Sequence, residues 1–567
     1  MTPRLLRLAL AAAMAVSVLC SLPPSFAQAP GRALVLTGAR VIDGTGRPPI
    51  ERATIIVRNG RIETVRAAAA EESTPADSAR IDLSDKTIIP GLINAHAHLN
   101  VDNGSTLPVR DDLVRRLRTY AEYGVTTAVS LGSTPADEIE GLKLRDEQAS
   151  GVLDRARLFT GGLNAVGKTP DEARKSVDRL ADLKVDVIKF HINGTPNDMT
   201  PETWSAIIDE AHRKGLRTAV HIFYLKDAQA AVDRGVDVIA HSVRDQDVPP
   251  AFVHDVKSKR VGYIPTLTRD LSVFVYESRP AFFDDPFFLR GIGLYRADVE
   301  RLSDPKQQEK VRNDRQAQAI KPALAQGMKN LKTLSDAGVT IAMGTDSGAA
   351  NNPGRWQGYF EHLELESMVR AGMTPMQTLV AATSGSARVM NLEKELGTIE
   401  PGKMADLLVL DANPLDDIRN TRRIDSVWIA GRRLGARPQQ SGAPAPSASA
   451  SAPALDFDFF KTRVQPIFQT KRPGHARCIS CHIAGTPMRL QPFSPGATTW
   501  SDDESRKNFD VVRREVVPGS LQSKLLVHPL AEEAGGDLFH NGGKHWNSQS
   551  DPEWQTLAAW VRGEKAR

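Results

Sequence analysis

From residue 33 onward, the hydrophobic positions fall into short runs of two kinds. At the start, 33–36 and 54–58 are apolar and β-branched, and Asn59-Gly60 offers the positive φ angles of a tight hairpin before 61–65. Runs of the same type recur at 405–410 and 426–430. Neither end has enough strands to close a sheet alone, so the pattern predicts one small β-sandwich built from 33–88 and 396–437. Between them, strand-like runs at 92–95, 126–131, 157–160, 185–190, 217–222, 236–240, 262–266 and 339–343 alternate with amphipathic stretches such as 201–214 and 225–234. Eight strands in β-α alternation predict an α/β fold, a (β/α)8 TIM barrel over 89–395, with a doubly wound open sheet as the rival. The seventh connection, 269–336, is long and carries Phe282-Phe283 and Phe287-Phe288. An insertion of that size is often a lid or an assembly surface.

Two stretches break the pattern. Residues 438–454, PQQSGAPAPSASASAPA, have no apolar periodicity and read as an Ala/Pro/Ser linker to a tail domain at 455–567. At the other end, Arg4 and Arg7 precede an apolar run at 8–19 and then Ser25-Phe26-Ala27, the form of a signal peptide (1–27) cleaved near Ala27. The run is shorter than the ~20 residues a span requires, so the expectation is a periplasmic protein without stable membrane insertion. Composition adds little: 41% hydrophobic, 25% charged and a net charge of +4 are ordinary for 567 residues and give no reason to expect a nucleic-acid partner. The cysteine count matters more. Cleavage at Ala27 removes Cys20 and leaves Cys478 and Cys481, both in one short motif.

The chemistry is concentrated at predicted strand ends. In PGLINAHAHL (90–99), His96 and His98 are two residues apart, so a strand turns both imidazoles to one side. Lys189 closes the fourth strand, His221 the fifth and His241 the sixth, and Asp346 follows the eighth. A strand-end histidine is commonly just a half-exposed polar residue, and an aspartate after Gly-Thr is often a helix cap. Their arrival at successive strand ends, where barrel enzymes place their catalytic groups, favours a metal site. His191 and Tyr224 are candidates for the same mouth, and Arg244 or Arg355 for binding a substrate carboxylate.

On these residues the chain resembles the amidohydrolase superfamily, in its binuclear imidazolonepropionase and prolidase-like branch. The resemblance covers roughly 33–436 and rests on PGLINAHAHL, DVIKF, AVHI, VIAHS, GTDSG and the closing 372–414. It implies two divalent metal ions, zinc first among them. His96, His98 and Asp346 would hold the more buried ion, His221 and His241 the more exposed one, and a carboxylated Lys189 would bridge both. It also implies hydrolysis of an amide-type C–N bond in a small-molecule substrate (a peptide, cyclic amide or imidazolone-like compound) by a metal-bridging hydroxide. Asp346 would serve as general base and acid. A lactone ester is the near alternative, and a homo-oligomer is possible.

In the tail, Cys478-Ile479-Ser480-Cys481-His482 matches the c-type haem attachment motif: Cys478 and Cys481 for the thioethers, His482 as axial ligand. A local disulfide or a zinc knuckle is the competing reading. The closing segment 554–561 and the preceding Gly542-Gly543-Lys544 resemble small, mostly α-helical cytochrome c-like domains. There the second axial ligand would be His540, with His545 and His528 as competitors. A haem c implies a redox partner. A second class of function follows: an electron-transfer module using the barrel as a binding scaffold.

Overall fold

The computed structural model describes residues 32–67, 75, 78–101, 105, 107–149, 153–349, 352–435, 454–472, 476–483, 488–516, 518–521, 523–531, 534–536 and 544–565. The signal segment, nearly all of the linker and His540 lie outside the described residues.

Strands β1 (Ala33–Val41), β2 (Ile50–Arg58), β3 (Arg61–Ala67), β4 (Ser78–Asp82) and β5 (Thr87–Pro90) form the beginning of the body. Chain order continues with β6 (Leu92–Ala97), β7 (Val125–Ser130), β8 (Arg157–Thr160), β9 (Ile188–His191), β10 (Thr218–His221), β11 (Val238–Ala240) and β12 (Gly262–Ile264). The far end supplies β13 (Leu407–Leu410), β14 (Ile424–Ile429) and β15 (Arg432–Arg433).

The two ends meet in one hydrogen-bonded set of eight strands, ordered β15-β14-β13-β5-β1-β2-β3 with β4 beside β1, and Leu36, Val57 and Ile62 share a buried core with Leu407, Val409 and Trp428. The seam is the antiparallel pairing of β5 with β13, Leu407 opposite Pro90 and Leu410 opposite Thr87. β5 and β6 are separated by Gly91 alone. A Cβ there would overlap the Thr126 side chain, so the chain passes from one sheet to the next only at a glycine.

β6-β7-β8 make one parallel arc and β9-β10-β11-β12 a second. β6, β7, β11 and β12 are buried along their whole length, as expected where helices cover a parallel sheet. Asp186 N donates to Thr160 O at 2.9 Å and Ala165 N to Lys189 O at 2.7 Å, linking β8 to β9. On the other side, Tyr263 N donates to Thr340 O (3.0 Å) and Ala95 N to Met343 O (2.8 Å). The segment 339–343, expected as the eighth strand, is held there by isolated bridges, Tyr263 to Ile341 and, just beyond, Ala97 to Ser347. Part of its bonding goes elsewhere: Met343 N donates to Ala381 O and receives no ladder partner of regular register. The result is seven parallel strands in two arcs. A separate buried cluster joins Ala95, Val129, Ala219, Val238 and Ile264 of β6, β7, β10, β11 and β12 with Val187 and Ala342.

The long connection folds as helices Leu267–Phe274, Ile292–Leu302, Pro305–Asn313 and Arg315–Asp336. Phe283, Phe287 and Phe288 are buried with Tyr123, Trp356 and Tyr359, so these aromatics form a core of their own instead of an exposed face. The tail has a distinct core of Phe460, Trp546, Trp554 and Trp560, closed by helix Pro552–Val561. No helix among the described residues is long and apolar enough to cross a membrane.

Candidate metal centre

His96 is the penultimate residue of β6, and the β6–β7 register shifts between Asn94 and Ala97, where the histidines leave the sheet. Lys189 and His191 lie on β9, His221 ends β10, and His241 follows β11 directly. Asp346 comes from the bridged segment after 343. All of them, with His98, line a single cavity of about 360 Å³, shared with Asn100, Asn164, Asn193, Arg269 and Arg355. The imidazoles form a chain of close rings. Centroid distances are 5.7 Å from His96 to His98, 4.8 Å from His96 to His241, 4.4 Å from His241 to His221 and 4.8 Å from His221 to His191. Ligand atoms of His96, His241 and Asp346 lie within 4.8 Å of one another.

Neighbours fix these rings. His98 donates Nδ1–H to the Gly132 carbonyl at 2.9 Å, which turns Nε2 to Asp346 Oδ1 at 2.7 Å. His241 Nδ1 bonds Thr266 Oγ1 at 2.7 Å, and His96 Nε2 stands 3.3 Å from Asp346 Oδ1. Such partners hold a ring at the angle a ligand requires. The backbone is strained to achieve it: φ is 74° at His241, 48° at Thr266 and 57° at Asp346, each a cost of about 1–3 kcal/mol.

The electrostatics match the geometry. Burial, reinforced by Lys189, lowers His96 and His191 to about 3, and burial likewise depresses His221 and His241, so all four rings are neutral at pH 7. Burial alone would raise Asp346. Its ion pair with Arg355 and the hydrogen bonds from His96 and His98 hold it well below the usual carboxylate range. Lys189 is fully buried, its Nζ has no hydrogen-bond partner, and burial lowers it to about 7. A buried ammonium without an acceptor is costly. Neutral imidazole nitrogens, an ionised carboxylate and an unpartnered His96 Nδ1 form a donor set suited to a divalent cation.

The other candidates separate. His191 lines the cavity, its Nε2 3.5 Å from Asn164 Nδ2. Tyr224 is not among the lining residues; its ring stands beside Phe223 and over Gly194. Arg244 is a packing residue, bound to Asp270 at 2.6 Å and to the Ile222 carbonyl at 3.0 Å in a fully buried pair. Arg355 does line the cavity. Arg269, 3.5 Å from Asp346, was missed as a site residue, as were Asn164 and Asn193. They are single polar residues without a motif, so nothing in the sequence marks them.

In the tail, Cys478 and His482 bound one short helix that also contains Cys481. His482 directs Nδ1 to the Met488 carbonyl at 3.0 Å, and burial holds its imidazole below the usual range.

Parallel strands that carry histidines, a lysine and an aspartate at their ends outline a candidate metal site, and comparison with known proteins gives the chain a family. Residues 87–434 match the amidohydrolase family, and the chain belongs to it. It is a hydrolase acting on C–N bonds. Among curated relatives, a 5-methylthioadenosine/S-adenosylhomocysteine deaminase of Haloarcula marismortui is 24% identical over 67% of this chain and 84% of its own length. Ochratoxinase of Aspergillus niger is 26% identical over 53% of this chain and 55% of its own. A solved Bifidobacterium longum protein provisionally assigned as a prolidase superposes with a TM-score of 0.57 and 28% identity, covering 74% of this chain and 97% of that one.

Proposed function

We propose that the two arcs form a closed (β/α)8 barrel and that its mouth holds two divalent ions for hydrolysis of an amide-type C–N bond in a small substrate. The buried cluster that joins residues of β6, β7, β10, β11 and β12 to Val187 and Ala342, with Phe159 of β8 packed against it, supports closure, because such a layer fills a barrel interior. The observation that carries the metal reading is Lys189: buried, unpartnered, lowered to about 7 and surrounded by neutral imidazoles. A lysine in its neutral amine form adds carbon dioxide through a new N–C bond and releases one proton to solvent, which leaves an anionic carbamate with two oxygen donors in place of a buried amine. His96, His98 and Asp346 would hold one ion, His221 and His241 the other, with Lys189 between.

Bound divalent ions supply Lewis acidity and a lowered water pKa. The remaining work falls to the chain. Asp346, kept ionised by Arg355, is the proton acceptor for the attacking water and the donor to the leaving nitrogen. Arg269 and Arg355 place positive charge beside it, and Asn164, His191 and Asn193 line the open side for substrate polar groups. Relatives described as deaminases and prolidases favour the C–N reading over a lactone ester.

The tail is read as a c-type haem domain with His482 as axial ligand, supported by the Cys478-Ile479-Ser480-Cys481-His482 motif and by an Nδ1 bond to the Met488 carbonyl that fixes the ring. His528, near His482, joins His540 and His545 as a candidate second ligand. The basic and apolar leader supports export to the periplasm, where covalent haem attachment takes place. The test is metal analysis of the purified chain together with a panel of dipeptides and cyclic amides. The expected result is two ions per chain and hydrolysis abolished by chelator; hydrolysis that persists in metal-free protein would overturn the assignment.

A further inference from the structure

Behind the cavity runs helix Tyr359–Arg370, and it carries two fully buried carboxylates one turn apart, Glu361 and Glu364. Neither lines the cavity, and among the described residues neither forms an ion pair with a lysine or arginine. Burying a carboxylate without a cation is expensive, so each must be held by several donors. Those donors lead to the metal-type ligands.

Glu361 Oε1 accepts from Asn94 Nδ2 at 2.6 Å, Thr345 Oγ1 at 2.7 Å and Ser347 Oγ at 2.9 Å. Asn94 belongs to β6, and its Oδ1 accepts the backbone N–H of His96 at 2.9 Å. Thr345 and Ser347 flank Asp346. One oxygen therefore ties the strand that bears His96 to the loop that bears Asp346. No regular ladder joins those two segments, only the Ala97–Ser347 bridge and nearby backbone bonds. Tyr120 closes the group from outside, its hydroxyl 2.9 Å from Ser347 Oγ.

Glu364 does the same one turn on. Its oxygens accept from the backbone N–H groups of Leu267 and Thr268, each at 2.7 Å, and from Thr268 Oγ1 at 2.7 Å. This caps helix Leu267–Phe274 with a carboxyl group from another helix, one that burial pushes up to about 7. The residue just before it, Thr266, is the left-handed one whose hydroxyl holds His241 Nδ1, and Arg269 lies one residue past Thr268. Glu364 thus fixes the loop that orients His241.

We propose that Glu361 and Glu364 are positioning residues, each setting a different half of the ligand constellation: Glu361 the His96–Asp346 spacing, Glu364 the orientation of His241. This rests on the two-ion reading of the cavity. It goes beyond that reading by assigning the two ions separate supports on one helix. Outer partners of ligands typically change metal affinity 10–100-fold when removed.

The test is zinc release from the loaded full-length chain to a chromophoric chelator, for the parent, Glu361→Gln and Glu364→Gln. An amide oxygen has less charge to offer three donors, and the amide N–H of the Glu364 variant would face a backbone donor. Each variant is expected to weaken one ion about 10–100-fold while leaving the other within about twofold, with the two variants affecting different ions. In steady state, kcat should fall with KM nearly unchanged, a split that general loosening of the fold would not give. Should Glu361→Gln fail to fold, Ser347→Ala, which deletes one donor and leaves the carboxylate, is expected to weaken the same ion a few-fold. Folded variants that hold both ions as the parent does would overturn the inference alone. A parent that binds no zinc would overturn the two-ion reading and this inference with it.

Discussion

Asp346 shows how much a single residue in this centre depends on its surroundings. Its carboxylate faces two imidazoles and two guanidiniums, so it stays ionised despite burial and is ready to accept a proton. Asp346→Asn keeps the shape and removes the base; kcat should fall by about 10²–10⁴ with the circular dichroism spectrum unchanged, measured on the best substrate of the panel. The histidines make a separate prediction about stability. Burial lowers His362, far from the cavity, to about 3, where its rings bond Thr421 Oγ1 and the Tyr123 carbonyl. It stays neutral when folded but takes a proton near 6.5 when unfolded, so the unfolded chain binds more protons below that pH. Stability is therefore complete above about 6.5 and declines as pH falls towards 3, by at most ~1.4 kcal/mol per pH unit for each such histidine. Urea midpoints between pH 7 and pH 5 should drop in the parent and drop less in His362→Gln.

At the scale of elements, the short parallel strands were legible because each is a short, largely apolar or β-branched run set between amphipathic stretches. β8 matches its expected bounds, β9 starts three residues later than expected and ends one residue later, and β10 is one residue shorter at each end. The eighth strand was not legible as what it is. Val339 to Met343 has the composition of a strand, yet its hydrogen bonds are divided between Tyr263, Ala95 and Ala381, and local composition cannot reveal that division. Helix starts were easier to read, because the cap is a local device. Helix Pro375–Val380 begins with a capping box, Thr374 and Gln377 satisfying each other's backbone N–H groups. Thr374→Ala should cost about 0.5–2 kcal/mol in chemical denaturation while leaving turnover unchanged, since the cap is remote from the cavity lining.

For the whole molecule, the seam between β5 and β13 is decisive. Residues more than 300 positions apart in the chain pair there, and the Arg157–Asp406 ion pair, buried at 2.7 Å, joins the end sheet to β8 beside it. Pairing of the two ends follows from each being too short alone; that β5 and β13 form the seam does not. The tail gives the molecule a second, independent readout. If it carries haem c, Cys478→Ser should lose covalent haem in a pyridine haemochrome assay while hydrolysis persists. Chelation should do the reverse, abolishing hydrolysis and leaving the haem spectrum intact.

His96, His98, Lys189, His221, His241 and Asp346 could be identified from the sequence because each stands at the end of an apolar run, and strand ends in a parallel α/β fold share one rim. Periodicity of two and short spacing are properties of the chain itself, and they sufficed to bring these residues to one cavity. Only the tertiary structure decided what acts around them: Arg269 and Arg355 beside Asp346, Arg244 withdrawn into the core, Tyr224 turned aside, and two glutamates on a distant helix behind the ligands. Those assignments depend on contacts across hundreds of residues. A lone arginine or glutamate looks the same in sequence whether it faces solvent, a carboxylate or the back of a metal site.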